Sequence, residues 1–148
     1  MLWNIEVGDT FVDSDIDLDQ LEKHLAEEYR DGYSSYENTR NGLIAEHFLI
    51  EKCGYSNDVT PYKDLFNPEG VSVEVKTFGV HRDPDAWMEE VLHGGKHSLR
   101  KRKVLWKKDI SNHIIFFQRD ENRYICYAKW VFGEKGRYIC VHKLESMV

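Results

Sequence analysis

The chain has 148 residues, of which 41% are hydrophobic and 13% aromatic, a composition that predicts one folded domain with a core and excludes a disordered chain. No apolar run approaches the ~20 residues of a membrane-spanning helix, and the first residues lack the basic and apolar regions of a signal peptide, so we expect no membrane partner and no secretion. The formal charge of -6 is unusual for a protein that binds nucleic acid, but it is distributed unevenly.

Opposite charges are concentrated in two segments. Residues 1–30 carry nine acidic and two basic side chains, whereas residues 94–108 carry seven basic and no acidic ones. Because a ligand responds to the local field, the basic segment can bind a polyanion despite the negative total. We interpret residues 1–38 as an acidic extension with a helix, and residues 39–148 as the core of a single domain.

The first part of the chain predicts a short strand and two helices. Residues 3–12 alternate loosely, as in a strand. An amphipathic helix is expected after Asp15, because leucines then recur at helical spacing. A second helix should run from about residue 39 or 41 to Cys53, and Gly54 ends it.

The remaining chain predicts mainly strands. They are expected at residues 57–62, 63–66, 71–78, 113–118, 124–129 and 137–143. A turn is expected at Asn67-Pro68-Glu69-Gly70, a helix beginning near Asp83, and a basic helix over residues 96–108. This order predicts an α/β or α+β fold in which helices flank a mixed sheet.

The cysteines and histidines lack the spacing of a metal site. The three cysteines are Cys53, Cys126 and Cys140. They form no CxxC pair, so we expect reduced thiols in a cytoplasmic protein. His93 and His97 are four residues apart, but the two glycines between them interrupt the helix that a metal site would need.

The segment DLFNPEGVSVEVK holds the residues with the clearest chemistry. Side chains alternate along a strand, so Glu74 and Lys76 should leave the same face of the sheet. Asp64, ten residues before Glu74, can join them if the two segments pair as a hairpin. Two carboxylates beside a lysine suit a hard divalent cation such as Mg²⁺ and chemistry on a phosphate.

Glu46 falls on the apolar stripe of the second predicted helix, between Leu43 and Ile50. A glutamate that faces a core is costly unless it is paired or bound to a cation. Two interpretations are open: Glu46 joins the same carboxylate cluster, or the helix is rotated so that Glu46 meets water.

Glu46 on a helix, Asp64 at a strand end, and Glu74 and Lys76 on the next strand together resemble the PD-(D/E)XK nuclease superfamily. The matching stretches are NGLIAEHFLIEKCGY, YKDLF and GVSVEVKT, and the resemblance covers roughly residues 40–129. Small Holliday junction resolvases of this superfamily are similar in length and layout. One departure is that a lysine, and not a proline, precedes Asp64. The resemblance implies a restriction-endonuclease-like mixed sheet flanked by helices, and divalent-metal-dependent hydrolysis of phosphodiester bonds.

The resemblance also implies roles for individual residues. Asp64 and Glu74 would bind one Mg²⁺ or Mn²⁺, with the Val75 carbonyl as a further ligand. Glu46 would complete the cluster or support a second metal. Lys76 would orient the attacking water or offset charge on the phosphate. The alternative for Glu74 and Lys76 is a surface ion pair on an exposed sheet face.

Basic residues provide the predicted nucleic-acid contacts. They are Lys96, Arg100, Lys101, Arg102, Lys103, Lys107 and Lys108. Such charges dominate non-specific binding to a polyanion, although a solvated helix face is the alternative. Arg40 and Asn41, placed at the start of the second helix, would add a phosphate contact or serve as ordinary caps.

These observations predict a metal-dependent endonuclease that acts on DNA, of the compact kind found in phages or mobile elements. A homodimer is expected if the substrate is a branched DNA, because two strands must then be cut symmetrically. The first alternative is a catalytically inactive nucleic-acid-binding domain of the same fold. A second alternative is an acidic interaction module formed by residues 1–30.

Overall fold

The computed structural model describes residues 3–28, 36–57, 65–93, 112–133 and 137–145. These ranges contain three α-helices: α1 (Leu18–Glu28), α2 (Tyr36–Cys53) and α3 (Pro84–His93). They also contain seven strands: β1 (Thr10–Val12), β2 (Ser56–Asn57), β3 (Leu65–Phe66), β4 (Ser72–Gly79), β5 (His113–Asp120), β6 (Arg123–Phe132) and β7 (Tyr138–Lys143). A short 3₁₀ helix, Asp13–Asp15, follows β1. The described chain is therefore a mixed α+β fold, as the order of predicted elements indicates.

The strands form one mixed sheet with the order β1-β6-β5-β4-β3-β2. Strands β2, β3 and β4 are successively antiparallel, and β4 then runs parallel to β5, with Glu74 opposite Ile114. Strand β6 is antiparallel to β5 along one edge. Its other edge is shared, since β1 pairs with its beginning and β7 with its end. The helix α3 lies between the two parallel strands in the sequence.

Helices cover both faces of the sheet and bury two separate cores. Neighbouring residues of β5 point to opposite faces. Ile115 and Phe117 accordingly belong to the core beneath α1 and α2, and Ile114 and Phe116 to the core beneath α3. The largest fully buried side chain is Tyr124 of β6, on the α2 face. None of the helices in the described ranges has the length and apolarity needed to cross a membrane.

Two predicted boundaries are wrong for identifiable local reasons. The strand predicted over residues 3–12 is confined to Thr10–Val12, because a turn precedes it. In this turn the Glu6 amide donates to the Asp9 carboxylate at 2.8 Å, and Gly8 has a φ of 99°. The second helix begins at Tyr36, three residues before the earliest predicted start, with Glu37 stabilising its first turn.

The predicted turn before β4 is confirmed. The Asn67 side chain accepts hydrogen bonds from the amides of Glu69 at 3.0 Å and Val71 at 2.9 Å. Gly70 has a φ of 82°, a conformation that residues with a Cβ rarely adopt. The turn holds β3 against β4, and so sets the register of the strand that carries Glu74.

Candidate active-site cleft

Glu74 and Lys76 lie on the same face of β4, as the alternation predicts. The Lys76 ammonium is 3.4 Å from the Glu74 carboxylate. Glu74 is 3% exposed and faces the core beneath α3, whereas the Lys76 side chain is 32% exposed. The pair is therefore not the surface ion pair of the alternative interpretation. A buried carboxylate is costly without compensating partners, and the Lys76 ammonium is one such partner.

Lys76 connects this buried carboxylate to an open cleft of about 580 Å³. One wall is formed by the beginning of α2, with Asn38, Asn41 and Gly42. The floor is the second half of β4, and the other walls come from α3 and the end of β5. Among the described residues, β3 pairs with β4 only at Ser72 and Val73. The cleft lies beside the later part of the same edge of β4.

The structure places Glu46 on the flank of α2 and not at the centre of its buried face. That face is formed by Ile44, Ala45, Phe48 and Leu49, which are all at most 1% exposed. Glu46 is half-buried instead. The helix is therefore rotated about its axis relative to the predicted apolar stripe, which had Glu46 facing the core. It lies one turn after Gly42, on the same side of the helix, and so projects from the side that lines the cleft.

Arg40 and Asn41 are not at a helix terminus, because α2 begins at Tyr36. The predicted position of both residues at the helix start is therefore wrong, whereas their predicted contact with a phosphate stays a prediction. Arg40 forms an ion pair with Glu22 of α1 at 3.5 Å. Asn41 is buried, accepts a hydrogen bond from Tyr124 at 3.3 Å and lines the cleft.

Of the remaining predicted site residues, Val75 is described by the structure, whereas Asp64 and the basic segment are not. Val75 is 8% exposed, packs in the core beneath α2 and borders the cleft. Asp64 lies outside the described residues, as does the basic segment Lys96, Arg100, Lys101, Arg102, Lys103, Lys107 and Lys108. Within the parts of the chain that are described, no three His, Cys, Asp or Glu side chains come together as a metal site.

The cleft also contains basic and aromatic side chains that the sequence did not single out. Arg82 places its guanidinium 4.7 Å from the ring centre of Trp87, the fourth residue of α3. Arg119, at the end of β5, forms an ion pair with Glu37 at 3.7 Å. Both arginines line the cleft with Lys76. They come from separate strands and loops, so no local motif could have grouped them.

Comparison with protein-family models, with curated proteins and with solved structures found no match for this chain.

A pair of histidines joins the two helices on the other side of α2. His24 Nδ1 of α1 is 2.8 Å from His47 Nε2 of α2, and Glu51 lies 3.8 Å from the other His47 nitrogen. This contact needs one donor and one acceptor nitrogen, so the two rings cannot both be charged. Burial, and secondly the neighbouring His24, lower the pKa of His47.

This histidine pair should make stability depend on pH. A folded-state pKa below the ordinary value of 6.5 means that the unfolded chain binds more protons below that pH. The free energy of unfolding should therefore fall as the pH drops below about 6.5, by at most ~1.4 kcal/mol per pH unit for this residue. Thermal melts of wild type and His47→Gln between about pH 7.5 and pH 5.5 would measure it.

The variant should show a smaller loss of Tm on acidification than the wild type. His113, whose pKa is also lowered chiefly by burial, contributes equally to both proteins and cancels in the comparison. Identical pH dependence in both proteins would contradict the role assigned to His47.

Proposed function

We propose that this chain is a divalent-metal-dependent nuclease that hydrolyses phosphodiester bonds of DNA. The observation that carries the proposal is the buried Glu74 carboxylate, held beside Lys76 on a strand that leads into a cationic cleft. A carboxylate and an ammonium at such a position combine a ligand for a hard cation with a positive charge for a phosphate.

The connectivity of the described elements supports the proposal. Helix α2 precedes three successively antiparallel strands, and α3 then leads to β5, which is parallel to β4. This is the order that the resemblance to PD-(D/E)XK nucleases implies, with the Glu-x-Lys strand third in the meander. We therefore extend the mixed α+β assignment to a restriction-endonuclease-like core.

The available donors fit a hard divalent cation. Glu74 supplies a nearly buried carboxylate beside Lys76, and carboxylate oxygens are the ligands that hard divalent cations prefer. Asp64, Glu74 and the Val75 carbonyl would hold Mg²⁺ or Mn²⁺, and Glu46 would complete the set. Such a bound cation polarises a phosphate and lowers the pKa of a coordinated water.

Asp64 is assigned to the site by the resemblance, and it directly precedes Leu65 in the sequence. Leu65 pairs with Val73, the residue before Glu74.

Lys76 supplies the fixed positive charge of the site. Its ammonium contacts Glu74, and a third of its side chain is open to the cleft. An ammonium held beside a carboxylate at the rim of the cleft suits an electrostatic role. Lys76 would hold the phosphate and offset the negative charge that develops on it.

Cleavage assays with the Asp64→Ala variant test the proposal. The substrates would be supercoiled, linear duplex, single-stranded and four-way-junction DNA, together with RNA, each incubated with Mg²⁺, Mn²⁺ or EDTA. Wild type should cleave only with metal, and Asp64→Ala should lose at least ~100-fold of the rate. Full activity in the variant, or cleavage in EDTA, would refute the assignment.

The assay also settles the further parts of the proposal. Preference for the junction, together with a dimer in solution, would support a resolvase, because symmetric cutting needs two sites. We propose a cytoplasmic protein of a phage or mobile element, consistent with the free thiols of Cys53, Cys126 and Cys140.

A second candidate is a non-catalytic DNA-binding domain, since Arg82 and Arg119 would serve the cleft in either case. Thermal stabilisation by Mg²⁺ or Mn²⁺ separates the two, because a ligand bound only by the folded state raises Tm. The nuclease should be stabilised by metal, and the Glu74→Gln variant should be stabilised less.

A further inference from the structure

The cleft combines positive charge with the half-buried aromatic ring of Trp87. Lys76 and Arg119 each have a carboxylate neighbour, Glu74 and Glu37 respectively. Within the described ranges no carboxylate lies within ion-pair distance of Arg82, whose guanidinium is placed over the Trp87 ring. The cleft therefore presents a positive charge that no described acid offsets, and an anionic ligand would complement it.

The geometry of Arg82 and Trp87 is suited to a flat ligand. A guanidinium plane and an indole ring both stack on nucleobases, and here the Arg82 guanidinium carbon lies over the Trp87 ring, 4.7 Å from its centre. The opposite wall carries Asn38, which is exposed, and Asn41, which is buried and accepts a hydrogen bond from Tyr124. Amide side chains such as that of Asn38 form hydrogen bonds with base edges, so the two walls offer the two kinds of contact that a single base makes.

A base inside a duplex cannot use these contacts together. Its faces are covered by neighbouring bases, and its pairing edge is occupied by the opposite strand. An unpaired strand exposes both its base faces and its base edges, and stacking on aromatic side chains is the usual way of binding it. The combination of a stacking surface, amides and phosphate-binding cations therefore discriminates between the two forms.

We propose that the cleft binds an unpaired nucleic-acid strand, with a base stacked at Arg82 and Trp87 and phosphates held by Lys76 and Arg119. If the chain cleaves nucleic acid, this binding mode makes single-stranded regions such as flaps and loops its substrate, and that part rests on the proposed function. The binding of an unpaired strand itself does not require catalysis.

Binding measurements without metal test the proposal separately from cleavage. Fluorescence anisotropy in EDTA would compare a labelled single-stranded DNA, an RNA of the same sequence, and the matching DNA duplex. Wild type should bind a single strand more tightly than the duplex. The higher of its affinities for single-stranded DNA and RNA shows which of the two nucleic acids it prefers. The Trp87→Leu variant should lose about 5- to 150-fold of its single-strand affinity, the range expected from one lost base stack.

A second variant at an exposed position keeps the test valid if Trp87→Leu does not fold. Arg82→Gln removes one charge at an exposed position and should weaken single-strand binding, lowering the slope of log affinity against log salt by about 0.7. The matched control is Arg137→Gln, an exposed arginine just before β7 and outside the cleft. It should bind the single strand more tightly than Arg82→Gln does, at equal thermal stability.

The outcomes separate the two proposals. Selective single-strand binding that Arg82→Gln weakens, without metal-dependent cleavage, would keep this inference and refute the nuclease. Metal-dependent cleavage with equal binding of duplex and single strand, unaffected by Arg82→Gln, would keep the nuclease and overturn the inference. Equal loss of affinity in Arg137→Gln would likewise overturn it, because the effect would then be general charge.

Discussion

Replacing Glu74 with glutamine should reduce metal-dependent cleavage by more than about 100-fold, since even a group that only supports a metal ligand contributes 10- to 100-fold. The substitution keeps the shape of the side chain and its hydrogen-bonding oxygen but removes the negative charge that would bind the cation. Single-turnover cleavage at saturating metal would measure the rate. A rescue by higher metal concentration would show that the lost step is metal binding.

Stability and a matched control distinguish this effect from misfolding. Glu74 is 3% exposed, so a neutral side chain there avoids the cost of a buried charge, and Lys76 keeps contact with water. We therefore expect no large decrease in Tm. Glu69→Gln makes the same chemical change at an exposed position in the turn before β4 and should keep full activity. Equal activity in the two variants would refute the role of Glu74.

Phe48→Ala should cause the largest loss of stability, about 3–5 kcal/mol. Phe48 is fully buried on α2 and stacks on Phe11 of β1, with ring centres 3.9 Å apart and planes 3° apart. Phe11 in turn stacks on Tyr124 at 4.9 Å, whose hydroxyl donates to Asn41 in the cleft. Removing one ring therefore leaves a cavity and loosens the stack that joins α2 to both strands.

Urea denaturation and thermal melts would measure this effect. For a domain of this length a loss of that size corresponds to a decrease in Tm of roughly 10 °C. The control is Tyr36→Ala on the same helix, an exposed aromatic residue whose loss removes a hydrogen bond to Glu22 but leaves no core cavity, and should cost far less than that of Phe48. Similar stability of the two variants would contradict the assignment of Phe48 to the core.

The local part of the site could be predicted from sequence because it depends on short-range geometry. Alternation along a strand places Glu74 and Lys76 on one face, and the Asn67–Gly70 turn needs only its own residues. The burial of Glu74 was not predictable, because it depends on how α3 covers that face. The orientation of Glu46 was uncertain for a similar reason, since the core face of α2 is set by packing against β1 and β4.

The contacts that sequence patterns missed join residues far apart in the chain. Arg119 enters the cleft from β5, whereas Lys76 enters it from β4. His24 and His47 come from two different helices. No spacing rule applies to such pairs, because their proximity is produced by the sheet and by helix packing. Arg82 and Trp87 are the exception, because they are only five residues apart. Whether their side chains meet nevertheless depends on where α3 begins.

The shared edge of β6 has a consequence for the order in which the chain can fold during synthesis. Strand β1 has its pairing partner in β6, where residue 10 lies opposite residue 125, so this strand emerges from the ribosome long before its partner exists. Closing such a long loop is entropically costly and slow. The stack of Phe48 on Phe11 offers β1 an earlier attachment site, on a helix made much sooner than β6. We expect α2 to hold the first strand in place until the last part of the sheet is made.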